Sequence, residues 1–226
     1  MEHENISQRE SDFAFLEKQD IQEHFAVLNL QLLQGGHVQR DNYYSFKLLG
    51  IYEGPIRNYY RRIHGLELVK DKTDNESYFY LDFIGESKGK TGSSVRSLTD
   101  AEIVYSIMLM KMYYERYFEA PKEIKWEDIR KEIMESENNV AYRTLLFDSI
   151  RTEYSENEWK QVKNHLKRAL RDLSTLGWIK RLAPEEGDEI HFIIKESVHR
   201  FARLYDKEIN QFDAFSKAYH KSKAEE

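Results

Sequence analysis

The sequence contains no cysteine. Disulfides and thiolate metal sites are therefore excluded, and a reducing compartment is the simplest setting for the chain. Proline is scarce, with three residues, and glycine modest, with ten, in a chain of 226. So few helix breakers favour a helix-rich fold. No apolar run approaches the ~18 residues of a membrane helix, so no span is expected. The N-terminal stretch Met1-Glu-His-Glu-Asn5 is acidic and lacks an apolar core, so no secretory signal is expected. An excess of positive charge is also missing. Asp and Glu number 40 against 34 Lys and Arg, a net charge of −6. A free-standing nucleic-acid binder is usually basic, so any DNA contact here has to be local or made inside a complex.

What is present is enough apolar material for a core. Hydrophobic residues make up 40% and charged residues 33% of the chain, which is too apolar for a disordered protein. The clearest segment runs from Trp159 to Ile194. Trp159, Val162, Leu166, Ala169, Leu170, Leu173 and Leu176 share one face at about 100° per residue, which predicts an amphipathic helix. Lys160, Lys163, Asn164, Lys167 and Arg171 share the opposite face. Gly177 stands where a left-handed residue would end that helix. Two apolar runs then flank Pro184-Glu-Glu-Gly-Asp188, a hairpin turn by composition. Helix, glycine and hairpin, in that order, make a winged helix.

The first half of the chain carries a weaker echo. Helices are predicted over Ile21 to Leu33 (with Leu33 on the apolar stripe), Tyr43 to Leu49, and Ile56 to Ile63 with Pro55 in its first turn. Leu66–Val69 and Ser77–Phe83 read as strands around the turn residues 71–75. In the second half, Ser97 or Thr99 caps a long helix from Leu98, whose Ile103, Ile107, Met110 and Tyr114 form a buried stripe. Ile124 to Trp126 suits a short first strand, and Trp126 to Met134 a second helix. An insert spans about 136–157, with a helical middle around Tyr142 to Ile150. Ser155-Glu-Asn-Glu158 fits a capping box before the basic helix. A last helix covers about Glu196 to Tyr205. The expected fold is mainly α with small β-hairpins, an α+β arrangement of tandem winged-helix domains. Its parts are an acidic arm at 1–20, a first domain at 21–84, a basic flexible linker at 85–97, a second domain at 98–205 and a charged tail at 206–226.

Catalytic signatures are weak. Gly85-Glu-Ser-Lys-Gly89-Lys90-Thr91 resembles a phosphate-binding loop, but three residues separate its glycines where four are required. The next helix also starts too late to offer its N-terminus to a phosphate. A basic linker explains the stretch better, with Lys88, Lys90 and Arg96 free to touch a DNA backbone. The eight histidines form no i, i+4 pair with a useful acid, so no metal site is expected. No Gly-x-Ser-x-Gly elbow occurs. No catalytic residue and no cofactor are expected.

The best functional feature is the basic face. Residues 156–183 hold seven Lys or Arg and three acids in an otherwise acidic chain. Lys160, Lys163, Lys167 and Arg171 on the helix, with Lys180 and Arg181 on the wing, are the candidate DNA contacts. A lysine-rich face kept for solubility has the same pattern. The corresponding helix of the first half carries Arg57, Arg61 and Arg62 beside Tyr59 and Tyr60. Winged helices also serve as protein-binding modules.

These segments together resemble a known family. The residues are Gly35-Gly36-His37-Val38 after Leu33, Tyr59-Tyr60 through Leu68, the strand Tyr78-Phe79-Tyr80-Leu81, Leu98-Thr-Asp-Ala-Glu102, the helix Val162 to Gly177, and Phe192-Ile-Ile-Lys-Glu-Ser-Val198-His-Arg200-Phe201. Over roughly residues 21 to 205 the chain resembles the MukE/MksE family of kleisin-interacting tandem winged-helix subunits of bacterial condensin-like SMC complexes, leaning towards the MksE type. The resemblance implies a non-enzymatic, dimeric subunit in the cytoplasm, at the nucleoid. Its implied partners are a kleisin, an SMC ATPase reached through the complex, and DNA within that complex, without a membrane. The apolar and aromatic surfaces of both wings and of the 98–119 helix are expected to hold the dimer and the kleisin. Ser174-Thr175 departs from the Arg pair of some relatives, so no DNA contact is transferred there. The insert and the tail also match poorly. The rival readings are a stand-alone tandem winged-helix regulator or replication initiator and, resting on the broken glycine loop, a nucleotide-binding enzyme.

Overall fold

The computed structural model describes residues 13–73, 76–84, 98–183 and 190–212. The linker 85–97 with its broken glycine loop and Ser97, the turn residues 74–75 and 184–189, the arm before Phe13 and the tail after Phe212 lie outside the described residues. The chain is mainly α with small antiparallel hairpins. It divides into two compact units, Met1–Ser97 and Leu98–Glu226.

In the first unit a 3₁₀ turn at Ala14–Glu17 precedes helix α1 (Gln19–Leu33). Ile21, Phe25, Leu28 and Leu32 are buried, as their spacing predicts. Leu33 is not: it is 41% exposed and joins Val27 and Leu30 on the outer side of the helix. Position 33 lies at the rim of the apolar stripe, where periodicity does not decide which side is covered. Helix α2 spans Tyr43–Ile51, and α3 spans Glu53–Tyr59. The chain then widens into a π turn at Tyr60–His64, which ends at Gly65. Gly65 sits at φ 65°, a left-handed conformation that a side chain would strain. Strands β1 (Leu66–Thr73) and β2 (Glu76–Phe83) pair antiparallel in the register Leu66↔Phe83. Val38 adds a one-residue bridge to Phe79, with both backbone hydrogen bonds at 2.9 Å.

The second unit begins with α4 (Asp100–Glu115). Thr99 caps it, and Glu102 reaches back to the Thr99 N–H in a full capping box. Residues Ile103, Val104, Tyr105, Ile107, Met108, Leu109, Met110, Met112 and Tyr113 are all at most 7% exposed. A helix apolar all round belongs inside a core, so this helix offers little surface to a partner. The apolar surface expected of the 98–119 stretch is left to Tyr114, Tyr117 and Phe118 at its end. Tyr114 leaves the expected stripe and is half exposed. Tyr78, Phe79, Tyr80 and Leu81 of the first hairpin are likewise buried and do not form an outer surface.

Strand β3 (Glu123–Lys125) leads into α5 (Trp126–Glu135), so Trp126 opens the helix instead of ending the strand. The insert forms α6 (Asn139–Phe147), stopped at Asp148 with φ 57° and lying three residues earlier than expected. Ile150 lies outside it, exposed. Phe147 stacks on Tyr154 at 3.7 Å and meets Trp159 edge-on at 4.9 Å. The insert is thus part of the core. Helix α7 (Glu156–Thr175), β4 (Ile179–Arg181) and β5 (His191–Ile194) follow. The sheet order is β3-β5-β4, all antiparallel. The last expected helix is α8 (Val198–Leu204), and a short α9 (Asp206–Asn210) follows in the stretch expected as a charged tail.

Both units share one order: helix, a short strand, helices, then a hairpin. In both, that short strand pairs with the second strand of the hairpin, Val38 with β2 and β3 with β5.

Candidate nucleic-acid interface

Helix α7 is set by signals at both ends. At its start the Ser155 hydroxyl accepts from the Glu158 N–H, and the Glu158 carboxylate takes the Ser155 N–H at 2.8 Å. These bonds and an ion pair with Arg151 hold the Glu158 carboxyl well below its ordinary value, at about 2. At its end Gly177 adopts φ 77°. The Gly177 N–H bonds the Ser174 carbonyl and the Trp178 N–H bonds the Leu173 carbonyl, each at 3.0 Å. This pattern closes the helix and satisfies carbonyls that would otherwise be orphaned. The buried Ser197 hydroxyl then donates to the Gly177 carbonyl at 2.7 Å, and the Lys195 N–H to the Trp178 carbonyl at 2.8 Å. The hairpin is tied to the helix end by these bonds. Trp159, Val162, Leu166, Ala169, Leu170 and Leu173 are all buried, so the opposite face carries the charge outward.

The six candidate cations do not stay together. Lys167, Arg171 and Arg181 converge on one groove of about 550 Å³ between α7 and the hairpin. Arg168, Asn164 and His191 complete its polar lining, over Leu170, Leu182, Ile190 and Phe192. Lys160 is exposed one turn nearer the helix start and outside the groove, and Lys180 points elsewhere from β4. Lys163 turns sideways: its Nζ lies 5.3 Å from the centre of the Trp126 ring. Trp126 meets Trp159 edge-on at 5.9 Å, and the Arg130 guanidinium lies 4.7 Å from the Trp159 ring. Lys163 is therefore half-buried in a cation–aromatic stack that braces the helix start.

Arg168, Arg171 and Arg181 have no carboxylate partner among the described residues. Burial lowers the Lys167 ammonium below its ordinary value, and the charges of Lys163 and Arg181 lower it further. The His191 side chain is only 8% exposed, and neither ring nitrogen is hydrogen-bonded. Arg168 and His191 were not among the sequence candidates. Arg168 was legible as the neighbour of Lys167 and three residues before Arg171; nothing in the sequence placed His191 beside them.

The first unit is the contrasting case. Arg57 pairs with Glu53 at 2.7 Å and with Glu67 at 3.4 Å, and Arg61 with Glu67. Lys70 adds a contact to Glu53 at 3.5 Å. Arg57 and Arg61 are thus paired within the unit, and the Arg62 guanidinium lies 5.5 Å from the Phe13 ring. Tyr60 is fully buried with its hydroxyl on Asn29 at 3.0 Å, while Tyr59 is half-buried among Phe13, Phe15 and Phe25.

A second groove of the C-terminal unit, about 520 Å³ between α4 and α5, has the opposite sign. Six carboxylates, Glu115, Glu119, Asp128, Glu132, Glu135 and Glu137, outnumber Lys111, Arg116 and Lys131. Burial raises the Glu132 carboxyl above its ordinary value, against the pull of Lys111 at 3.5 Å. A polyanion meeting this unit is repelled from the α4–α5 groove and drawn to the α7 groove. Among the described residues no group of three or more His, Asp or Glu is arranged to hold a metal ion, and no helix is long and apolar enough to cross a membrane.

A search among curated proteins finds no match to the chain. A family model described as condensin complex protein MksE matches residues 23–205. That match takes in both units and every element from α1 to α8, and so most of the sequence. The chain belongs to the MksE family of condensin complex proteins.

Proposed function

We propose that this chain is a non-catalytic accessory subunit of a condensin-like SMC complex, built from two winged-helix units. It dimerises, binds the kleisin, and helps the complex engage DNA for chromosome organisation and segregation or for plasmid restriction. ATP hydrolysis belongs to the SMC partner. The working site is the nucleoid in the cytoplasm. Family membership supports the place in a condensin-like complex. The observation that carries the DNA role is the convergence of Lys167, Arg168, Arg171 and Arg181 on one groove, the three arginines without a carboxylate partner among the described residues, in a chain of net charge −6. Such a local cluster retains duplex DNA best when a larger assembly holds the duplex against it. Protein contacts fall to exposed apolar residues: Val27, Leu30 and Leu33 on one side of α1, and Phe118, 96% exposed, after α4.

Co-expression with the cognate kleisin tests this reading. A stable co-purifying complex that retains duplex DNA is expected. Sequence-selective, nanomolar DNA binding by the isolated chain, with no kleisin complex, would show it to be a stand-alone regulator.

A further inference from the structure

The groove supports a narrower inference, which rests on the DNA role proposed above. We propose that it is a seat for one phosphate ester group, and that Arg168 and His191 belong to that seat.

Arg168 and Arg171 are three residues apart on α7, so they share a side of the helix. Arg181 lines the same groove from β4. Three guanidinium groups therefore border one recess, and each is a planar fork matched to two phosphate oxygens. Lys167 adds a fourth cation, placed where its neighbours are also positive. The three guanidinium groups, with no carboxylate partner among the described residues, repel one another, and a bound anion relieves that repulsion. Asn164 supplies an amide. His191 forms the wall on β5, with both ring nitrogens lacking a hydrogen-bond partner. Buried polar atoms are normally bonded, so the open Nδ1 is an argument for a missing partner, while Nε2 already faces a carboxylate. The groups facing this ring are Glu123 of β3, whose Oε2 is 3.5 Å from Nε2, and the cations of α7 and β4.

The size of the groove sets the ligand. About 550 Å³ admits a phosphate and the sugars attached to it, but not a double helix. The seat thus takes a single backbone phosphate that projects from the duplex and fixes the duplex in register on the unit. It reads no bases, because phosphate contacts carry position and not sequence. The same chemistry would take a free phosphate monoester such as a nucleotide.

The test uses the isotope-labelled full chain and inorganic phosphate, titrated against chloride at equal ionic strength. Phosphate should shift the amide signals of residues 164–171, 181 and 191 beyond the chloride control. The R168A/R171A double variant should lose those shifts. In the assembled complex the same variant should lower the slope of log affinity for duplex DNA against log salt by about 0.9, the share of one phosphate. The R168K/R171K variant keeps the charge without the forks; it should keep most of the slope and lose at least threefold of the phosphate response. Phosphate shifts no larger than chloride overturn the seat, as does an R168K/R171K response equal to that of the wild type. DNA retention with an unchanged slope in R168A/R171A overturns the seat while the DNA role stands. A complex that never retains DNA overturns the DNA role; phosphate shifts at these amides then assign the seat to a free monoester.

Discussion

Lys163 and Lys167 are one helical turn apart and equal in charge, yet the structure gives them different work. Lys163 lies over the Trp126 ring at 5.3 Å, whereas Lys167 lines the groove beside Arg181. The decisive perturbation is the pair K163A and K167A, each made alone. A phosphate contact contributes about 0.9 to the slope of log affinity against log salt, so between ~50 and ~200 mM one contact accounts for about a 3.5-fold fall. K167A should remove one such factor from DNA retention by the assembled complex. It should leave the melting temperature unchanged or slightly raised, because it relieves crowding with Lys163 and Arg181. K163A should leave the slope unchanged and cost about 0.5–1 kcal/mol of stability, the typical worth of a partly exposed cation–aromatic contact. Salt-dependent DNA retention and thermal unfolding of both variants decide the matter. A flattening of the slope by K163A equal to that by K167A would refute the division of the helix. So would a loss of stability confined to K167A.

Three further outcomes follow from the geometry. Leu166 is fully buried in the second core, so L166A should cost about 2–5 kcal/mol by chemical denaturation. The folded Glu158 carboxyl is held at about 2, below its ordinary value of 4.5. A depressed carboxyl contributes stability that is present above its unfolded value and lost as pH falls towards the folded one, so wild type should lose stability between about pH 4.5 and 2, and E158Q should lose less over that window; parallel acid titrations of the two proteins would contradict this. R57A in the first unit should leave the DNA slope unchanged, because that cation is already paired, and should change stability by no more than about 1 kcal/mol; a slope reduced by about one unit would show that the first unit also holds a phosphate.

The elements that were legible in advance are those with a strong local cause. The α7 stripe from Trp159 to Leu173, the Ser155–Glu158 box and the left-handed Gly177 all depend on residues within one or two helical turns. Residues at the edge of a stripe were less legible. Leu33 and Tyr114 were assigned inward and lie outward, because coverage at the rim is decided by a neighbour that periodicity does not contain. Val38 is one residue long as a strand and leaves no pattern at all; only its bond to Phe79 reveals it. The candidate cations were recognisable as a class, though a face kept lysine-rich for solubility has the same pattern. Their partners were not. Arg57 and Arg61 looked as available as Arg171 until Glu53 and Glu67 were found against them.

By itself the sequence determined what local physics can determine: helix periods, caps, stops, the absence of thiol chemistry, the broken phosphate loop, and a basic helix in an acidic chain. It also carried the family signal across residues 23–205. The tertiary structure decided where the charges sit. Lys163 went to Trp126, Arg57 to Glu53, and Lys167, Arg168, Arg171 and Arg181 to one groove with His191. Electrostatic function depends on distance and burial between groups far apart in the chain, and those are set only when strand β5 is laid beside helix α7.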